Sequence, residues 1–196
     1  MISRGDDTLQ VTLAEYLKEN PVAKTKLHLG CGGVRLEGFV NVDLHPASTE
    51  VPDSSRSGCL ADVFADIRNL GLVENSVDEI FSTHVLEHFP RWETVDMLRD
   101  WHRMMKPAAR LVVEMPDFWR CVLWLFHPRK KRRYQGRSQF YGNQWDRLTY
   151  ETHRYVWSAR EFKLALREIG FVRVSVSHRT ETHHPGRDMR VTSYKA

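Results

Sequence analysis

Lys26-Leu27-His28-Leu29-Gly30-Cys31-Gly32-Gly33, followed shortly by Phe39-Val40-Asn41-Val42-Asp43-Leu44, is the stretch that decides how this chain folds. The first segment reads as a strand running into a glycine loop, and glycine lacks the side chain that would keep a ligand away from the main chain. The second reads as a strand ending in an acid. Between Gly33 and Phe39 there is no room for a crossover helix, because a βαβ connection normally takes about a dozen residues or more. The shortage bears on the ligand. Dinucleotides set their pyrophosphate on the N-terminus of the helix after the glycine loop. That helix is missing here, and neither GxGxxG nor GxxxxGK[ST] occurs. The pair therefore predicts a site for a nucleoside-like ligand without phosphates, with Asp43 placed to accept both ribose hydroxyls.

Further strand-like segments lie outward of this pair: Ala61-Asp62-Val63-Phe64-Ala65-Asp66, Val77-Asp78-Glu79-Ile80-Phe81, Leu111-Val112-Val113-Glu114, an alternating run at 171–176 and a last partner at 189–194. Helices fall among them. Thr12-Leu13-Ala14-Glu15 and Ser158-Ala159-Arg160-Glu161 are capping boxes, the second leading through Phe162, Ala165, Leu166 and Ile169 to a stop at Gly170. Trp92, Val95, Leu98, Trp101 and Met105 recur at helical spacing until Lys106-Pro107. Alternating strand and helix predict an α/β fold with a mainly parallel sheet and an antiparallel last strand. Residues 116–157 break the alternation and are too long for an idle loop in a compact domain. They predict a short helix around 118–125 and then an inserted cap over the strand ends, where open α/β sheets bind ligands.

The 196 residues suit one domain, and 41% hydrophobic against 28% charged residues suffice for a core. The longest apolar stretch, Cys121 to Phe126, is far too short for a membrane span, and no signal peptide is evident, so a soluble cytoplasmic protein is expected. Cys31, Cys59 and Cys121 form no CxxC, which argues against a disulfide framework or zinc ribbon. Lys and Arg number 29 against 25 Asp and Glu, a net charge of +4. Arg129, Lys130, Lys131, Arg132, Arg133 and Arg137 cluster without an intervening acid. Such a run suits phosphates or an anionic surface, and a solvated loop is the simpler expectation.

Beyond these readings, Leu27-His28-Leu29-Gly30-Cys31-Gly32, Val40-Asn41-Val42-Asp43, Ala65-Asp66-Ile67-Arg68, Asn75-Ser76-Val77-Asp78-Glu79-Ile80, His84-Val85-Leu86-Glu87-His88-Phe89, Leu98-Arg99-Asp100-Trp101-His102-Arg103-Met104-Met105-Lys106-Pro107 and Met115-Pro116-Asp117-Phe118 follow one another in order. This order resembles class I S-adenosylmethionine-dependent methyltransferases, nearest a small type-11-like branch found among polysaccharide-biosynthesis proteins. The resemblance implies a Rossmann-like methyltransferase fold with a seven-stranded sheet and a shortened first crossover, and S-adenosylmethionine as cofactor. It implies further that Leu29, Gly30, Cys31 and Gly32 lie at the methionine moiety, and Asp43 at the ribose with Leu44 beside the adenine. Asp66 and Ile67 would meet the adenine, and Ser82, Thr83 and His84 would lie near the sulfonium. One departure is Lys106-Pro107-Ala108-Ala109, where the family carries Lys-Pro-Gly-Gly.

His84-Val85-Leu86-Glu87-His88 also spells the HxxEH of inverted zinc metalloproteases. That motif belongs within a long helix, whereas here it directly follows a strand, and a protease would leave the glycine loop and Asp43 idle. In some class I O-methyltransferases a Glu-x-x-Glu-His segment at this place holds a divalent ion. Glu87 and His88 match it, His84 replaces the first Glu, and His153 is a further donor. The favoured expectation is no stable metal, with His84 or His88 a general base near neutral pH and Glu87 hydrogen-bonded beside them. Phe140, Tyr141, Asn143, Gln144, His153 and Tyr155 mix polar and aromatic character, as a sugar or other hydroxylated acceptor requires. O-methylation of a small hydroxylated or saccharide acceptor is expected. The alternatives are RNA methylation through the basic run and a non-catalytic cofactor-binding domain in a larger assembly.

Overall fold

Strand β1 (Lys26–Leu29) passes to β2 (Val40–Asp43) through turns alone, as the short gap requires. The computed structural model describes residues 12–44, 58–142, 151–180 and 186–196. Strands β3 (Val63–Phe64), β4 (Val77–Thr83), β5 (Met105–Pro116), β6 (Phe171–Ser177) and β7 (Asp188–Lys195) complete a seven-stranded sheet in the order β3-β2-β1-β4-β5-β7-β6. Strands β1 to β5 pair in parallel, and β7 runs antiparallel between β5 and β6. Chain order reverses at β1, which lies between β2 and β4, so a crevice opens beyond the carboxyl ends of β1 and β4.

Helix α1 (Leu13–Glu19) starts at the reciprocal Thr12–Glu15 capping box. Helix α2 (Arg91–Met104) buries Thr94, Met97, Leu98, Trp101 and Met104. This face differs from the expected stripe: Trp92 is 68% exposed because, two residues before Thr94, it points to the other side of the helix. Met105 is not the helix end but the first residue of β5, so that strand is far longer than Leu111-Val112-Val113-Glu114 suggested. Helix α5 (Ala159–Ile169) keeps its Ser158 cap and its left-handed Gly170 stop. The Glu161 carboxylate, however, accepts from Arg91 and from the Tyr155 hydroxyl instead of closing the box.

Between the Val77–Met105 and Glu79–Arg110 pairs the β5 ladder is broken, and Lys106-Pro107-Ala108-Ala109 fills the gap. Exposed Ala108 sits at φ 62, the left-handed region that the usual glycine would enter freely. An alanine there carries steric cost, partly offset by glycine's larger unfolded-state entropy, so Ala108→Gly is expected to stabilise by roughly 0.5–1 kcal/mol. Chemical denaturation checks it, and a destabilised variant would refute the assignment of strain.

Helix α3 (Phe118–Leu125) forms where 118–125 was expected. The basic run is not a loop: it enters α4 (Lys130–Tyr141), which packs on α3. Gly136 is the contact. A Cβ there would lie 2.8 Å from both the Cys121 carbonyl oxygen and Trp124 Cβ, so the helices approach too closely for any side chain. The core beneath is built on Trp101, Trp157 and Phe162, all fully buried, with the Trp101 indole donating to the Ile67 carbonyl.

Candidate active site

Two adjoining chambers of about 580 Å³ and 420 Å³ open at the crevice, and Gly30, Gly32, Gly33, His84, His88 and Glu151 line both. Asp43 and Cys59 belong to the smaller one, and Tyr134, Ser138, Gln139 and His153 to the larger. The glycine loop is held open from below. A Cβ on Gly30 (φ 74) would collide with Val85, whereas one on Gly32 (φ 51) would meet nothing and project into free space. Asp43 stands against this loop, its carboxylate accepting from Gly32 N at 2.6 Å and Leu44 N at 2.7 Å.

At the end of β4 the main chain turns sharply at His84, which adopts φ 52 and donates its N–H to the Glu114 carbonyl. Its Nδ1 donates to Glu87 Oε1 at 2.9 Å and its Nε2 to Asp188 Oδ2 at 3.2 Å. Asp188 in turn accepts two bonds from Arg187. Burial opposes every charge in this chain, but alternation of sign overrides it. Burial and then Glu87 and Asp188 compete at His84, which ends at about 10, while Glu87 and Asp188 fall to about 2. His84 is therefore an imidazolium with both ring nitrogens donating. It has no lone pair with which to act as the base the sequence suggested.

His88 is the opposite case. Burial holds it below the ordinary imidazole value, and His153 outweighs part of the pull from Glu87. Its ring meets His153 edge to face at 4.8 Å, and the His153 Nδ1 donates to the Gln139 carbonyl at 2.7 Å. Residues 86–88 form a single 3-10 turn rather than a long helix, so the protease geometry is absent. Among the described residues, Thr83 Oγ1, Glu87 Oε2 and His88 Nδ1 have no hydrogen-bond partner, and all three residues line the larger chamber. Buried polar atoms without partners cost stability, and bound water or a ligand is what ordinarily satisfies them.

A methyltransferase-domain family model matches residues 11–176. The chain belongs to this family. It is an S-adenosylmethionine-dependent methyltransferase of class I. No curated protein sequence matches it. Among solved structures, a methyltransferase from Methanosarcina mazei is 15% identical, with TM-score 0.57 over 91% of this chain and 96% of that one. One from Archaeoglobus fulgidus is 14% identical, with TM-score 0.58 over 93% and 91%. The phosphoethanolamine N-methyltransferase 2 of Haemonchus contortus, solved with phosphomonomethylethanolamine and S-adenosylhomocysteine, is 12% identical, with TM-score 0.55 over 93% and 52%. These likenesses are likenesses of fold.

The methyltransferase brings Gly30, Cys31, Gly32, Asp43, Thr83, His84, Glu87, His88 and His153 to the two chambers. It does not bring the others. Leu29 is core, and Ser82 is buried with its hydroxyl on the Leu29 carbonyl. Asp66 spends both carboxylate oxygens on Arg68, Ile67 is buried, and neither they nor Leu44 line a chamber. Tyr141 is exposed at the end of α4, Phe140 packs on Phe118, and the Tyr155 hydroxyl is held by Glu161. Asn143 and Gln144 lie outside the described residues. Sequence reasoning missed Arg187, Asp188, Glu151, Gln139 and Tyr134. Among the described residues, two donor groups are compact enough to bridge an ion, Cys31–Asp43–Cys59 and Glu87–His88–His153, with ligand atoms all within 4.8 Å in each.

Proposed function

We propose that this methyltransferase transfers the methyl group to a hydroxyl of a small polar, saccharide-like acceptor. The nucleoside of the cofactor takes the Asp43 chamber, the acceptor takes the chamber under α4, and neutral His88 removes the hydroxyl proton. The observation that carries this reading is that Thr83, Glu87 and His88 all line the larger chamber, each with a polar atom that has no hydrogen-bond partner among the described residues. The residues fit S-adenosylmethionine: a glycine loop with open space over Gly32, a carboxylate beside it, and no helix N-terminus waiting for a pyrophosphate. When bound, that cofactor supplies a methyl group already activated by positive sulfur. The protein's own work is alignment, exclusion of water and acceptance of one proton at His88. The Glu87–His84–Asp188 chain fixes the wall against which the acceptor lies.

We place no resident metal at Glu87, His88 and His153. The imidazolium of His84 sits 2.9 Å from Glu87 and already neutralises the one carboxylate of that trio, which disfavours a dication. Dialysis against a chelator is expected to leave turnover unchanged; loss of turnover restored by a divalent ion would overturn this assignment. Asp43→Ala is expected to weaken cofactor binding by the worth of one or two charge-assisted hydrogen bonds, about 1.5–3 kcal/mol each. Calorimetry with S-adenosylhomocysteine reads it directly, and unchanged affinity would remove Asp43 from the ribose. A labelled-methyl screen across saccharides, small phenols, amines and RNA tests the acceptor class. Label on saccharide hydroxyls is expected, and label on amines or RNA alone would overturn it.

A further inference from the structure

Helices α3 and α4 expose a face that the cleft does not use. Trp119, Leu123 and Phe126 lie at positions i, i+4 and i+7, opposite the buried Cys121, and are 63%, 63% and 81% exposed. Three large apolar side chains in one row, all held in water, are unusual on a surface helix. Phe126 leads directly into the turn before α4, and Arg129 at that helix's N-cap and Lys130, Lys131, Arg132, Arg133 and Arg137 within it are all exposed. From Phe118 to Gly142 the chain carries seven basic residues, Arg120 being the seventh, and no Asp or Glu. Among the described residues none of the six run cations pairs with a carboxylate. Arg132 instead lies over the Trp124 ring at 5.2 Å, Arg133 donates to the His127 and Pro128 carbonyls, and Arg137 lies over Tyr134. The Arg132 guanidinium over Trp124 ties the basic helix α4 to the same helix that carries the apolar row.

We propose that this α3–α4 face docks on the surface of an anionic lipid bilayer, with Trp119, Leu123 and Phe126 in the headgroup boundary and the six cations on lipid phosphates. Apolar insertion and electrostatic attraction reinforce one another in such peripheral binding. Each basic residue near an anionic leaflet strengthens partitioning by about fivefold. A polyanion without an apolar phase accounts for the cations but not for the row: Leu123 offers a nucleic acid neither a ring to stack nor a group to hydrogen-bond. The docking is peripheral. No helix among the described residues is long and apolar enough to cross a membrane, and α3 has only eight residues. The proposal does not depend on which acceptor the cleft takes.

Co-sedimentation of the full chain with vesicles tests it, using phosphatidylcholine alone and phosphatidylcholine mixed with phosphatidylglycerol, at low and raised salt. Binding to the mixed vesicles is expected, weakening with salt, with little binding to the neutral ones. Two variants separate the contributions: Trp119→Ser with Leu123→Ser and Phe126→Ser, and Lys130→Glu with Lys131→Glu and Arg133→Glu. Each is expected to weaken vesicle binding by about tenfold or more while keeping the wild-type melting temperature and cofactor affinity. Brominated lipid should quench tryptophan fluorescence in the wild type, and much less in Trp119→Phe. Absence of binding to anionic vesicles at low salt would overturn the proposal. So would undiminished binding by the apolar variant, or tighter binding of mixed-sequence RNA than of the mixed vesicles.

Discussion

His84→Asn is expected to lose about 3–5 kcal/mol of folding stability, the cost of stranding buried charges when one member of an ion pair is removed. Glu87 and Asp188 both lie in the interior; the imidazolium between them is the cation paired with Glu87, and it shares Asp188 with the Arg187 guanidinium. A domain of this size has on the order of 5–15 kcal/mol in all, so the melting temperature should drop by about 6–20 °C. Asparagine is the informative replacement because it tolerates the left-handed backbone that His84 occupies at φ 52. If backbone strain alone mattered, the variant would match or exceed the wild type, and that outcome would dismiss the charge chain. The sequence had suggested instead that His84 or His88 serves as a general base.

The same chain shapes the pH dependence of stability. His84 rises from 6.5 to about 10 on folding, so between those values the native state holds more protons than the unfolded one, and stability falls as pH rises. Its contribution is complete below about 6.5 and gone above about 10. Glu87 falls from 4.5 and Asp188 from 3.8, each to about 2, so their contributions are complete above those unfolded values and are lost as pH drops toward 2. Stability from this network is therefore greatest between about 4.5 and 6.5. Denaturation midpoints across pH would show the alkaline decline, and His84→Asn should flatten it.

His88→Ala is expected to lower the turnover number by about 10²–10⁴, the usual worth of a general base. Cofactor affinity and melting temperature should change little by comparison. Because burial holds His88 below 6.5, the acid limb of the wild-type rate profile should fall below that value, with a plateau at neutral pH. A limb near 10 would point to His84 instead, and full activity in His88→Ala would remove the base assignment altogether.

The readable part of the site is the part made by neighbours in sequence. Gly30, Gly32 and Asp43 were legible because a strand, a bare turn and a terminal acid carry their geometry locally. The missing crossover helix was legible because a chain of a few residues cannot form one. Helix α4 was not recognisable by period: Gly136 is its one buried residue, so there is no apolar stripe to detect, only charge. Arg187 and Asp188 were invisible for a different reason, since 104 residues separate Asp188 from His84. Among the substrate residues proposed from composition, His153 reaches the cleft, while Tyr155 is drawn away by Glu161.

The linear chain by itself determined the α/β sheet and the helix-free turn between β1 and β2 that ends against Asp43, because strand periodicity and loop length are local constraints. Only the tertiary structure decided the protonation of the two neighbouring histidines. Two imidazoles four positions apart have the same intrinsic chemistry. One is held as a cation at neutral pH because Glu87 lies beside it and β7 brings Asp188 against it, and the other is pushed the opposite way because burial opposes its charge and no pair of carboxylates among the described residues binds both its nitrogens.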